Sequence, residues 1–339
     1  MVAPAGLLSN RYKVDDMPDL TGKIAVVTGG SRGIGEALVS ALVQKGCQVH
    51  ILSATKEHGD EAISNIAQIA PKATSLITHH VIDLGSLRSV ASTASTLSSS
   101  LSRLDLLFLI AGVGVGPYGL TSDQIGNHFA VNHLASMVLV DGLLGKMKET
   151  SKSKQDKGEL ERFSTRIVAE SSELHRASPE VEFASLEELS DDNKDMDPTR
   201  LYARAKLCNI LFIKELAKRH LPPLTSSTPI MALSTHPGTV STEQQKGATE
   251  AYGMAGKLLE GAAALLFMSK EQGSESALWA GTGKTAFERK EEVQGRYFSE
   301  ADGKVGTESS QAMEDGLAEK LWDLSKRILK DKIGYEVKM

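Results

Sequence analysis

Short apolar runs alternate with amphipathic stretches of helical period along most of this 339-residue chain. The apolar runs predict strands at about 24–28, 48–52, 74–81 and 104–110, from about 166, at 230–234 and near 296–298. The stretches between them predict helices at about 34–45, 57–70, 86–103, 121–148, 199–219, 256–280 and 310–331. Leu104 to Ile110 is apolar almost throughout, as a strand buried on both faces requires. The Ser-rich segment 86–103 keeps Leu87, Val90, Ala94, Leu97 and Leu101 at helical spacing, which predicts a helix and not a low-complexity tract. Pro71 and Pro222-Pro223 act as helix stops. Strand and helix in regular alternation predict an α/β fold, a doubly wound parallel sheet with helices on both faces, joined by right-handed crossovers. Residues 1–20 form an N-terminal arm. Residues 21–339 form a single domain, since no linker separates two complete cores. The charged stretch 151–159 is expected to be a solvated linker, and 173–198 a polar, acidic connection.

Composition narrows the function classes. Apolar residues make up 41% and charged residues 24%, which suits a folded globular chain and not a disordered one. With a net charge of −5 and a pI near 6.0 there is no basic stripe to meet nucleic acid. The two cysteines, Cys47 and Cys208, form no C-x-x-C, which argues against a disulfide framework and a structural zinc site. No uncharged apolar stretch reaches the roughly 18 residues of a membrane span, and residues 261–268 are apolar but too short. The N-terminus lacks the apolar core of a secretory signal, so a cytoplasmic protein is expected.

Two stretches carry chemistry. Thr28 to Gly35, TGGSRGIG, lies between the first apolar run and the first amphipathic stretch. Apolar run, glycine turn and helix is the order of a phosphate-binding βα unit of Rossmann type, with the helix N-terminus facing the phosphates. The spacing is G-x-x-x-G-x-G, carried by Gly29, Gly33 and Gly35, and not the dinucleotide fingerprint G-x-G-x-x-G. Farther on, Tyr202 and Lys206 stand four apart in a predicted helix and share a face. An ammonium beside a phenol favours the phenolate, so Lys206 would draw Tyr202 towards working pH. Other patterns lead nowhere. Gly281-Thr-Gly-Lys-Thr285 lacks the first glycine of a phosphate loop, which would fall at Leu278. His79-His80, and His128 with His133, have poor ligand spacing, and no metal is expected.

TGGSRGIG, a serine pair ending strand five (Ser171-Ser172), Tyr202-x-x-x-Lys206 and P-G-x-V-x-T after strand six come in one order, over about residues 20–300. In this the chain resembles the short-chain dehydrogenase/reductase family. The fragments RIVAESSELHR, LYARAKLCNILFIKELAKR, LSTHPGTVSTE and GRYFSEADGK resemble its retinol dehydrogenase-like branch. The resemblance implies an oxidoreductase working between a carbonyl (ketone or aldehyde) and its alcohol, with Tyr202 as general acid/base. Ser172, or Ser171 in its place, would bond the substrate oxygen. Lys206 would hold the ribose, and Asn132 would hold a water in the proton relay. Cofactor binding would fall to Gly29, Ser31, Arg32, Gly33, Ile34 and Gly35 of the loop, Ser53, Asp83 and Leu84 at the next strand ends, Ala111 and Gly112 after strand four, Tyr202 and Lys206, and Pro237, Gly238, Val240 and Thr242 after strand six.

One departure stands out: Leu109-Ile110 replaces the two asparagines of the family's N-N-A-G. The cofactor is expected to be NADP(H). Where NAD-preferring members carry an Asp after strand two there is Ser53, followed by Ala54 and Thr55, and Arg32 offers a cationic fork to a 2′-phosphate, with help from Lys56. Val113, Val115, Tyr118, Leu174, Phe183, Tyr252 and Met254 are expected to wall a medium-sized, mostly apolar substrate. The state is expected to be monomer or homodimer. The alternative reading is a catalytically silent NADP-binding redox sensor or an interaction protein.

Overall fold

Apolar runs that carry no polar face must be covered on both sides, and the sheet does this. The computed structural model describes residues 12–156, 164–190, 196–221, 224, 229–238, 240 and 268–339. The chain runs β1 (Ile24–Thr28), α1 (Gly33–Gln44), β2 (Gln48–Ser53), α2 (Lys56–Ile69), β3 (Ile77–Val81), α3 (Leu87–Ser100) and β4 (Leu106–Leu109). Next, α4 (Asn127–Phe129) passes through a π-helical segment, Ala130–Leu134, into α5 (Ala135–Asp156). There follow β5 (Thr165–Glu170), α6 (Pro198–Arg219), β6 (Ile230–Thr235), α7 (Lys270–Thr282), α8 (Lys284–Glu288), α9 (Lys290–Val293), β7 (Tyr297–Phe298), α10 (Ser310–Met313) and α11 (Asp315–Ile333). The seven strands among the described residues all pair in parallel, in the order β3-β2-β1-β4-β5-β6-β7. The fold is the Rossmann-type doubly wound sheet that the alternation predicts.

Every residue of β1, β4, β5 and β6 is buried. Alternate positions serve opposite faces. Val26, Leu107 and Leu109 pack with α3, α5, α6 and α11, while Ala25, Val27, Leu106 and Phe108 pack with α1 and α7. Strand order reverses between β1 and β4, so the loops leaving their carboxyl ends part and open a crevice.

Four local expectations are corrected. Residues 151–156 are not a solvated linker but the end of α5, because Lys154 is buried against Asp105, 2.8 Å away. Residues 71–76 coil into a 3-10 helix, with Pro71 fitting its first turn, and β3 starts only at Ile77. Residues 121–126 are not helical: Leu120 bridges Gly126 and the helix opens at Asn127. The last helix is broken at Glu314, whose backbone is extended. The part of the predicted 256–280 helix before Met268 lies outside the described residues.

Candidate active site

The loop after β1 is shaped by two glycines. Gly29 has φ +67°, a left-handed conformation that a side chain would strain. A Cβ on Gly35 would stand 2.1 Å from the Gly29 carbonyl oxygen, so only glycine lets the first turn of α1 close onto the loop. Arg32, at the N-cap of α1, makes no side-chain capping bond. The helix therefore keeps its first N–H groups for an anion.

This loop opens on a cavity of about 660 Å³. Gly29, Ser31, Arg32, Gly33, Ile34, Gly35, Ser53, Asp83, Leu84, Ala111 and Gly112 all line it. Asp83 also shapes the β3 exit, its Oδ1 accepting the Gly85 N–H at 2.8 Å. Leu109 and Ile110, which replace the asparagines, are buried. Thr28 ties this end of β4 to β1 instead: its Oγ1 accepts the N–H groups of Ile110 and Ala111 at 3.0 and 3.1 Å. Arg32 pairs with Glu61 at 3.5 Å, both well exposed, and Lys56 pairs with Asp60.

The second group gathers where β5 meets α6. Asp197 caps α6, accepting the Thr199 N–H at 2.8 Å, and Pro198 fits its first turn. That start puts Tyr202 and Lys206 one turn apart, with Lys206 Nζ 5.6 Å from the centre of the Tyr202 ring. The Ser172 side chain lies near enough to favour the Tyr202 phenolate. Ser172 also accepts the Leu174 N–H at 3.2 Å. Ser171 is spent elsewhere, its hydroxyl donating to the Lys206 carbonyl at 2.7 Å. Of the serine pair, Ser172 is thus the one that meets the phenol.

Lys206 is buried, donates to the Glu170 main-chain carbonyl at 3.1 Å and lies 3.8 Å from Glu170 Oε1. Burial holds the Tyr202 phenol above its ordinary value, ahead of the opposing pull of the Lys206 ammonium. The expected net drop towards working pH is not found in this state. Asn132 sits in the π-helical segment, where an extra residue widens the turn. Its amide is engaged on the glycine-rich loop: Oδ1 accepts the Val113 N–H at 2.7 Å and Nδ2 donates to the Val113 carbonyl at 3.0 Å.

After β6, Pro237 and Gly238 are partly exposed, Gly238 with φ +83°. Val240 is buried and bridges Met268. Thr242, Tyr252 and Met254 lie outside the described residues. Phe183 is corrected: it is not a wall of the substrate site but 1% exposed, in the core beside α11. Val113 lines the cavity, and Leu174 is exposed beside Ser172. Gly281 serves packing, since a Cβ there would meet the Phe108 ring at 2.3 Å. His128 bonds Asn127 and the Gly114 carbonyl, and His133 bonds Ser325. Among the described residues no three His, Cys, Asp or Glu gather as metal ligands, and no helix is long and apolar enough to cross a membrane.

Sequence reasoning missed Glu170, His58, Val131 and Lys270, which also line the cavity. For Glu170 a signal existed: an acid within a strand buried at every position.

The short chain dehydrogenase family model matches residues 23–160. The protein bli-4 of Neurospora crassa, named as a mitochondrial oxidoreductase, is 31% identical over 326 residues, 95% of this chain and 75% of its own. Retinol dehydrogenase 14 of Mus musculus is 30% identical over 312 residues, 90% of this chain and 85% of its own. A solved structure described as the Pseudomonas aeruginosa RhlG/NADP active-site complex has TM-score 0.60 and 19% identity, over 84% of this chain and 96% of that one. This last likeness is one of fold.

Proposed function

This chain belongs to the short-chain dehydrogenase/reductase family, in a branch that resembles the retinol dehydrogenases, and from its site we propose an NADP-dependent oxidoreductase that interconverts a ketone or aldehyde and the matching alcohol. The observation that carries this reading is Lys206 Nζ set 5.6 Å from the Tyr202 ring, with Ser172 near the phenol, next to Glu170 on the wall of a cavity whose glycine turn leaves α1 open to an anion.

A bound nicotinamide cofactor supplies or accepts the hydride. The residues of the chain do the rest. The Gly29–Gly35 backbone would hold the diphosphate, since glycine at 29 and 35 lets the loop, Ala111 and the first turn of α1 come together around it. Ser172 orients the substrate oxygen. Tyr202 gives that oxygen its proton in reduction and takes it back in oxidation. The Lys206 ammonium stabilises the phenolate left behind. Asn132 is a positioning residue, keeping Val113 and its loop as a wall of the site. Val115, Tyr118 and Leu174 offer apolar surface to a medium-sized substrate.

The preference for NADP rests on residues 53–55, which carry no acid to repel a 2′-phosphate, and on Arg32 at the cavity wall. Its exposed pair with Glu61 is weak enough to yield to a phosphate. Arg32→Ala should raise the Kd for NADPH by about 10- to 100-fold, the worth of about 1.5–3 kcal/mol in charge-assisted hydrogen bonds. The Kd for NADH should stay within about twofold of wild type on the same reasoning. Titration calorimetry reads both; equal losses, or tighter binding of NADH by the native protein, would overturn the preference.

The whole reading is tested by a screen of aldehydes, ketones and quinones with NADPH, followed by absorbance. If NADPH binds and nothing is turned over, the silent redox sensor or interaction protein takes its place. A cytoplasmic site is the sequence expectation, and the mitochondrial name of one relative makes fractionation the deciding measurement. Monomer or homodimer is decided by sizing.

A further inference from the structure

Glu170 ends β5, two residues before Ser172, and is 6% exposed. It borders the same cavity as Gly29, Ala111 and Gly112. Its Oε1 lies 3.8 Å from Lys206 Nζ, beyond hydrogen-bond distance. Its Oε2 is buried with no hydrogen-bond partner among the described residues. A buried, half-satisfied carboxyl is costly and calls for a reason. The fold supplies none. Lys206 and Asn209 donate to the main-chain carbonyl of Glu170, at 3.1 and 2.9 Å, and those bonds would survive with any side chain.

We infer that the Glu170 carboxyl is a charge partner for the nicotinamide end of the cofactor and discriminates its oxidised form from its reduced form. This rests on the dinucleotide reading above. The oxidised ring is a cation and the reduced ring is neutral. A carboxylate beside the cation is stabilised, whereas beside a neutral ring in a dry wall it is not. Burial pushes the carboxyl up to about 7 against the pull of Lys206, so its charge is open to change near neutral pH. Binding of the oxidised form moves a proton from the Glu170 carboxyl to solvent, and no covalent bond to carbon is altered.

The groups around it do not blur this reading. From α6 it faces Lys206, Tyr202 and Asn209, and Tyr202 is held above its ordinary phenol range. Ser171 and Ser172 follow it just past β5 and carry no charge. At the end of β6 stands Thr235, followed by His236, which burial pushes down to about 4. From α7, Lys270 borders the cavity and is ion-paired with Glu36 at 2.6 Å. The loop of Ala111, Gly112 and Val113 is uncharged. Arg32 and His58, by Ser53, and any 2′-phosphate meet both oxidation states alike, so their effects cancel in the ratio of the two Kd values.

The experiment is calorimetric titration of the full chain with NADP⁺ and NADPH, and with NAD⁺ and NADH alongside, at pH 6 and pH 8. If the ring charge lowers the titration of the carboxyl by about one unit, the Kd of the oxidised form relative to the reduced should fall about fivefold from pH 6 to pH 8. In Glu170→Gln the ratio should stay level. A second measurement needs no variant: at pH 7, in two buffers of different ionisation enthalpy, the native protein should release about 0.4 proton on binding the oxidised form and less with the reduced. A level ratio in the native protein, equal proton release for both forms, or an unchanged slope in Glu170→Gln overturns the proposal and leaves the dinucleotide reading standing. Failure of all four dinucleotides to bind overturns that reading, and this proposal with it.

Discussion

Tyr202→Phe is expected to lower kcat for carbonyl reduction by about 10²- to 10⁴-fold, with the Kd for NADPH within about twofold of wild type. The ring, the α6 turn and the approach of Lys206 survive the change. What disappears is the phenol hydroxyl near Ser172, the group that can pass a proton to a substrate oxygen. The loss amounts to about 3–5 kcal/mol of transition-state stabilisation, placed wholly on the chemical step. Single-turnover absorbance against calorimetric binding separates the two quantities. Native turnover in the variant would remove Tyr202 from the mechanism, whereas loss of binding would mean that the phenol holds cofactor and does no chemistry.

The pH dependence follows from the same group. Burial holds the phenol above its ordinary value of about 10, ahead of the lowering by Lys206. At neutral pH Tyr202 is protonated and ready as the acid of reduction. Alcohol oxidation needs the phenolate and should quicken as pH rises towards the phenol's own range. A reductive rate that fell steeply between pH 7 and 9 in the native protein, with no such fall in substrate binding, would contradict this assignment.

Much of this was legible because it is local. Thr28 to Gly35 declares itself by spacing alone, since a turn of positive φ and a helix packed against a carbonyl oxygen both demand glycine at fixed places. The strand pattern of β1, β4, β5 and β6 follows from burial on two faces, which leaves nothing but apolar runs to read. Tyr202 and Lys206 are one helical turn apart, and their shared face is given by the helix itself. The failures are contacts between residues far apart in sequence. Lys154 reads as one more charge in SKSKQDKGE until Asp105 stands beside it. Phe183 looks like a free apolar residue in an acidic connection until the core near α11 receives it. Thr28 reads as the first residue of a glycine motif, and only strand pairing shows its hydroxyl serving the backbone of Ile110 and Ala111 in the neighbouring strand. Glu170 reads as one more strand-end residue beside the serine pair, since its meaning depends on where Lys206 and the cavity fall.

Asp105→Ala is expected to cost about 3–5 kcal/mol of stability, the range for stripping one partner from a buried ion pair. Asp105 is fully buried just before β4, with Oδ1 2.8 Å from Lys154 Nζ, and Lys154 is 1% exposed. Arg103 adds two bonds at 2.8 Å, and the Ile24 N–H donates to Oδ2 at 2.9 Å. The carboxylate thus ties the starts of β1 and β4, the two strands whose following loops part to make the cavity. Burial raises the Asp105 carboxyl, but Lys154, Arg103 and the backbone together hold it below its ordinary value. Its contribution is therefore present at neutral pH and drains away as pH falls through the lowered value of the folded state. Chemical denaturation from pH 7 downward should show the native protein losing stability in acid faster than Asp105→Ala. Removing both partners, in Asp105→Leu with Lys154→Met, should recover most of the loss, because the buried ammonium no longer stands alone. A single variant within about 1 kcal/mol of the native protein would show that the pair is not what fixes the two strands.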